Sequence, residues 1–66
     1  MLITVNGTER ELPDGATVAD VLAVIDAPPR GIAVALDGEV VPRAGWSDTP
    51  LPPGGRVEVL TAVQGG

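Results

Sequence analysis

Two hairpin-type pairs, Asn6-Gly7 and Asp37-Gly38, and one short apolar stripe at helical spacing predict an α+β roll for this chain of 66 residues. In such a roll a mixed sheet of four to five strands carries one main helix on one face. Met1 to Val5 reads as the first strand, with Ile3 and Val5 on one face and Leu2 and Thr4 on the other. Asn6-Gly7 returns the chain through a short, polar second strand, Thr8 to Leu12, and Pro13-Asp14-Gly15 turns it again. The helix is expected from Val18 to Asp26. Val18, Val21, Leu22 and Ile25 form its apolar stripe, and Thr17 caps it with Asp20 three residues on. Ala27-Pro28-Pro29 cannot extend that helix.

Ile32 to Leu36 alternates as a strand, with Ile32, Val34 and Leu36 on one face and Ala33 and Ala35 on the other. Asp37-Gly38 leads to Glu39-Val40-Val41, which Pro42 ends or sets at an edge. The register of this hairpin, and so the faces of Val40 and Val41, stays open. Ala44 to Gly55 reads as a Pro- and Gly-rich connection anchored by Trp46 and Leu51, and Arg56 to Thr61 as the last strand. Residues 1–61 then form one domain and residues 62–66 a flexible C-terminal tail ending in Gly-Gly. Ten valines and a single aromatic residue make the core aliphatic, which suits a roll of the β-grasp type.

The composition narrows the chemistry. There is no His and no Cys, and all four basic residues are arginines, so Lys is absent as well. The usual general base, the thiolate nucleophile, the Schiff-base amine and the common soft metal ligands are therefore missing. A chain this short also buries only about 60% of its unfolded surface, which leaves no room for a sizeable active-site cavity. These absences argue against an independent enzyme: no catalytic residue and no metal site is expected. A net charge of -5 disfavours binding to nucleic acid or to anionic membranes and favours a protein partner. No apolar stretch approaches the roughly 20 residues of a membrane span, and the opening residues do not resemble a signal peptide, so a cytoplasmic monomer is expected.

The tail carries the chemistry. Beyond Glu58 no side chain is charged, and Gly65 and Gly66 lack the Cβ atoms that would clash in a narrow channel. Five extended residues span about 16 Å, enough to bring a terminal carboxylate into another protein's active site. A carboxylate is a poor electrophile, and nothing in this chain can activate it. The tail reads as a substrate rather than as a catalyst.

At this point the sequence resembles the sulfur carrier proteins of thiamine biosynthesis, within the ubiquitin-like β-grasp superfamily. The resemblance rests on the opening I-T-V-N-G, on V-A-L-D-G-E-V-V-P-R-A-G-W from Val34 to Trp46, and on R-V-E-V-L-T-A-V-Q-G-G from Arg56. It spans essentially the whole chain, and only the Pro50 to Pro53 run departs from it. It implies that an E1-like enzyme adenylates the Gly66 carboxylate with ATP. A cysteine-derived sulfur then displaces AMP to leave a thiocarboxylate, and thiazole synthase takes the sulfur into the thiazole ring. Gly65, Gln64 and Val63 would thread the tail, and no cofactor would be bound by the chain itself. The alternatives are the small subunit of molybdopterin synthase, which shares the Gly-Gly end, and a non-catalytic ubiquitin-like interaction module.

Leu60 is expected to face away from the helix, beside the small Ala33 and Ala35, in a flat apolar patch suited to partner docking. Trp46 reads as a cover over one end of the core in preference to a docking hot spot. Arg43 is expected to pair with an acidic neighbour such as Glu39, and Asp37 to serve the turn and not a metal.

Overall fold

The computed structural model describes residues 1–28 and 30–61. Its five strands are β1 (Leu2–Val5), β2 (Thr8–Glu11), β3 (Ile32–Leu36), β4 (Glu39–Val41) and β5 (Arg56–Thr61), and one helix, α1 (Val18–Val24), follows β2. They form a single sheet in the order β2-β1-β5-β3-β4. Among the described strand pairs, β1 and β5 run parallel and the others are antiparallel. This is the β-grasp arrangement, with the last strand inserted between the two hairpins.

Both hairpins close through two-residue loops whose residues all have positive φ: Asn6 at 50° and Gly7 at 83°, Asp37 at 50° and Gly38 at 87°. That is the backbone signature of a type I′ turn, whose twist matches the strands it joins. The turn fixes register: Val5 pairs with Thr8 in the first hairpin, and Leu36 with Glu39 in the second. Side chains alternate across a strand, so this register turns Val41 toward the helix side and Val40 to the opposite face.

Thr17 and Asp20 make a full capping box. The Thr17 backbone N–H donates to Asp20 Oδ2 at 2.8 Å, and the Asp20 N–H donates to Thr17 Oγ1 at 3.4 Å. The helix stops at Val24, two residues short of the expected Asp26. Asp26 takes φ 57°, its N–H donates to the Ala23 carbonyl at 3.2 Å, and the Ala27 N–H donates to the Leu22 carbonyl at 3.0 Å. This is a Schellman closure with Asp where Gly is commoner, and it satisfies carbonyls that would otherwise lack partners.

The helix presses Val18 and Val21 onto Ile3, Val5, Val34, Val57 and Val59 of the sheet, and Leu12, Ala16 and Leu51 seal the margins. Ile3, Val18 and Val57 are wholly inaccessible. Each such aliphatic side chain contributes about 1.5–3 kcal/mol through burial. The long connection is more ordered than its composition suggests. Arg43–Asp48 forms a 3₁₀ helix entered from Pro42, and Thr49 Oγ1 donates to the Gly45 carbonyl at 2.7 Å. The Pro-rich run that follows is stitched to the start of α1: the Val18 N–H donates to the Thr49 carbonyl at 3.0 Å, and the Leu51 N–H to the Ala16 carbonyl at 2.9 Å. Gly55 is close-packed, since a Cβ there would lie 3.0 Å from the Pro52 carbonyl oxygen.

The α-ammonium of Met1 closes the far edge of the sheet. It donates to Glu11 Oε2 at 2.8 Å and to the Leu12 carbonyl at 2.7 Å. The Glu11 hydrogen bond outweighs desolvation and, with the nearby charges of Glu11 and Asp14, raises the pKa of this group above the usual α-amino range.

Candidate functional site

The central strand β5 places the candidate docking face. Val57 and Val59 point into the core, so Arg56, Glu58 and Leu60 point out of the uncovered side of the sheet. Across the ladder, Ala33 stands opposite Leu60, and Ala35 stands opposite Glu58 on one side and Val40 on the other. The structure therefore brings Leu60, Ala33 and Ala35 onto one face, as their alternation predicts. Leu60 is 67% exposed and Val40 is 75% exposed. Two large apolar side chains thus stand among alanines whose small volume leaves the sheet surface flat. Val40 is the docking candidate that sequence reasoning left unassigned, and the two-residue loop after Leu36 is the signal that places it.

On its other side Leu60 borders a shallow depression of about 420 Å³ shared with Thr4, Asn6, Gly7, Arg56 and Glu58. Charged and apolar groups therefore follow one another along the outer face of β5, from Arg56 through Glu58 to Leu60. Val63, Gln64, Gly65 and Gly66, the expected threading and modification residues, lie outside the described residues. Thr61 is the last described position of the strand that leads to them.

A family model, that of the ThiS family, matches residues 3–66. The chain belongs to the ThiS family. Among solved structures it is similar to a thiamine biosynthesis protein (ThiS) from Geobacter metallireducens, with a TM-score of 0.84 and 30% sequence identity, each chain covered over 100% of its length. Comparison with curated protein sequences gives no match.

Within this ThiS-family chain, the block from Pro42 to Trp46 is structural on its described contacts. Trp46 is half-buried against the core, and its Nε1 donates to the Val41 carbonyl at 2.9 Å. Arg43 departs from expectation. Among the described residues it forms no ion pair with Glu39 or any other carboxylate, and its guanidinium lies over the Trp46 ring, 5.8 Å from the centroid. The 3₁₀ helix stacks residues three apart, which puts position 43 over position 46. Asp37 takes the left-handed φ of 50° that the turn needs, as expected, and its Oδ1 also reaches across to β5 to accept from the Arg56 N–H at 2.9 Å. No group of three or more His, Cys, Asp or Glu among the described residues could hold a metal ion, and no described helix is long and apolar enough to cross a membrane.

Proposed function

We propose that this chain is a cytoplasmic sulfur carrier for thiamine biosynthesis, a protein co-substrate acted on by two partner enzymes. Its reactive group is the Gly66 carboxylate. An E1-like adenylating enzyme transfers AMP from ATP to that carboxylate, making the carbonyl carbon electrophilic. A cysteine-derived sulfur displaces AMP, and the resulting thiocarboxylate donates sulfur to the thiazole ring on thiazole synthase. Val63, Gln64 and Gly65 thread the tail into each active site, and Leu60, Ala33 and Ala35 dock the folded domain outside it. The partners supply every catalytic group, in keeping with a chain that has no His, Cys or Lys.

The observation that carries this reading is the family match, which runs through the Gly-Gly end. The full-length likeness to the ThiS protein of Geobacter metallireducens supports it. Reconstitution with purified adenylating enzyme, ATP, sulfur donor, thiazole synthase and that enzyme's carbon and nitrogen substrates tests it. The thiazole should form with the intact chain and not with a chain lacking Gly66. Molybdopterin formation with molybdopterin synthase's large subunit, in place of thiazole, would contradict it.

A further inference from the structure

Strand β5 is held at both ends by the first residue of a type I′ turn, and the two grips differ. At its start, the Asp37 carboxylate accepts from the Arg56 N–H at 2.9 Å, while the Asp37 backbone N–H donates to the Arg56 carbonyl at 2.8 Å. Side chain and main chain share the work, and a pure acceptor suffices there. Near its end, β5 outruns its parallel partner. The β1–β5 ladder pairs Thr4 with Arg56 and Val5 with Val57, and the Asn6 N–H makes the next bond, to the Val57 carbonyl at 2.9 Å. The main chain then turns away at Gly7. Val59 is left facing the gap with both a donor and an acceptor to satisfy.

The Asn6 carboxamide fills that gap. Its Oδ1 accepts from the Val59 N–H at 2.8 Å, and its Nδ2 donates to the Val59 carbonyl at 3.2 Å. The amide side chain thus continues the ladder by one rung in place of backbone. A carboxamide carries its acceptor and its donor on two separate atoms, spaced as in a peptide group, so one short Asn side chain meets the Val59 N–H and the Val59 carbonyl at once. Asn also tolerates the left-handed φ of 50° that the turn demands.

We propose that Asn6 is a positioning residue for the carrier reaction. By clamping Val59 it fixes the stem, Val59–Thr61, from which the tail leaves, and so limits where the Gly66 carboxylate can reach. This rests on the sulfur-carrier reading above. Ordering a loose stem would have to occur during docking, so losing the clamp weakens the encounter more than the chemical step.

The variants are Asn6→Gly, which keeps the left-handed turn and removes both bonds, and Asn6→Asp, which keeps the acceptor and loses the donor. Asp37 shows that Asp sits at φ 50° in the equivalent place of the other turn. Thr17→Ala, which breaks the helix cap, serves as a comparator for general loss of stability. Amide hydrogen exchange is read first: in Asn6→Gly the Val59 N–H should exchange about tenfold faster relative to the Val34 N–H. Steady-state thiocarboxylate formation is read next. The KM for the carrier should rise about tenfold in Asn6→Gly, the cost of ordering roughly one backbone residue, and less in Asn6→Asp, with kcat unchanged.

A Val59 amide as protected in Asn6→Gly as in the unaltered chain overturns the clamp. A KM rise no larger than that of Thr17→Ala overturns the positioning role. Failure of the unaltered chain to form any thiocarboxylate overturns the sulfur-carrier reading, and the exchange result then decides the clamp on its own.

Discussion

The two faces of the β-sheet use the same strands for different ends. On the helix side, Ile3, Val34, Val57 and Val59 meet Val18 and Val21 with almost no exposed area. On the uncovered side, the intervening residues of β3, β4 and β5 leave Leu60 and Val40 standing in solvent above two alanines. One position along a strand therefore separates a side chain that holds the fold from one free to meet a partner. In so small a domain the core claims the inward side chains, and the outer side chains and turn residues are what remains for the docking role proposed above.

Substitutions on the two faces should separate stability from partner turnover. The largest effect is expected at Val57→Ala, which opens a void at a wholly buried site. About 2–3 kcal/mol should be lost, measured by urea denaturation. That is a large share of the roughly 3–10 kcal/mol that a domain of this length commands. Val57→Ala protein that remains folded under assay conditions should still be adenylated at close to the normal rate.

Leu60→Ser should do the reverse. Its unfolding free energy should stay within about 0.5 kcal/mol of the parent, because the residue is already largely exposed. The KM for the carrier in the adenylation assay should rise about tenfold, the value of a moderate interface anchor. A full loss of folding in Leu60→Ser, or an unchanged KM, would erase the distinction between the faces.

The smallest expected effect lies away from both faces, at the α-ammonium of Met1. Its pKa is raised by the Glu11 hydrogen bond, so its contribution to stability is complete below the unfolded α-amino pKa of about 7.7–8.0. It is lost as pH rises through the higher folded value. Denaturation midpoints should therefore fall modestly above about pH 8, and Glu11→Gln should flatten that fall.

Much of this architecture is legible in the residues. The two Asx-Gly turns, the valine-rich alternation and the Thr17 cap act locally, and each dictates its own backbone. The inward set of β5 and the outward Leu60 follow from alternation alone. The face of Val40 was equally determined, through the loop that ties Leu36 to Glu39. Other features have no clear signal in the residues, or join positions far apart in sequence. The Schellman closure at Asp26 falls where a helical pattern could run on, and the 3₁₀ helix at Arg43–Asp48 has no periodicity to announce it. Arg43 over Trp46 replaces the ion pair that charge counting suggests, because helical stacking and not charge sets which neighbour it meets. The Asn6 clamp on Val59 joins residues 53 apart in sequence, and only the insertion of β5 beside β1 brings them together.

On the proposed reading, Gly66 is the reactive end of a carrier whose folded domain serves to present it. Intact-mass spectrometry tests this most directly, after incubation with the adenylating enzyme, ATP and a sulfur donor. The chain should show one oxygen replaced by one sulfur, and the same chain without Gly66 should show no change. An unmodified intact chain, or sulfur acquired equally well without Gly66, would contradict that reading.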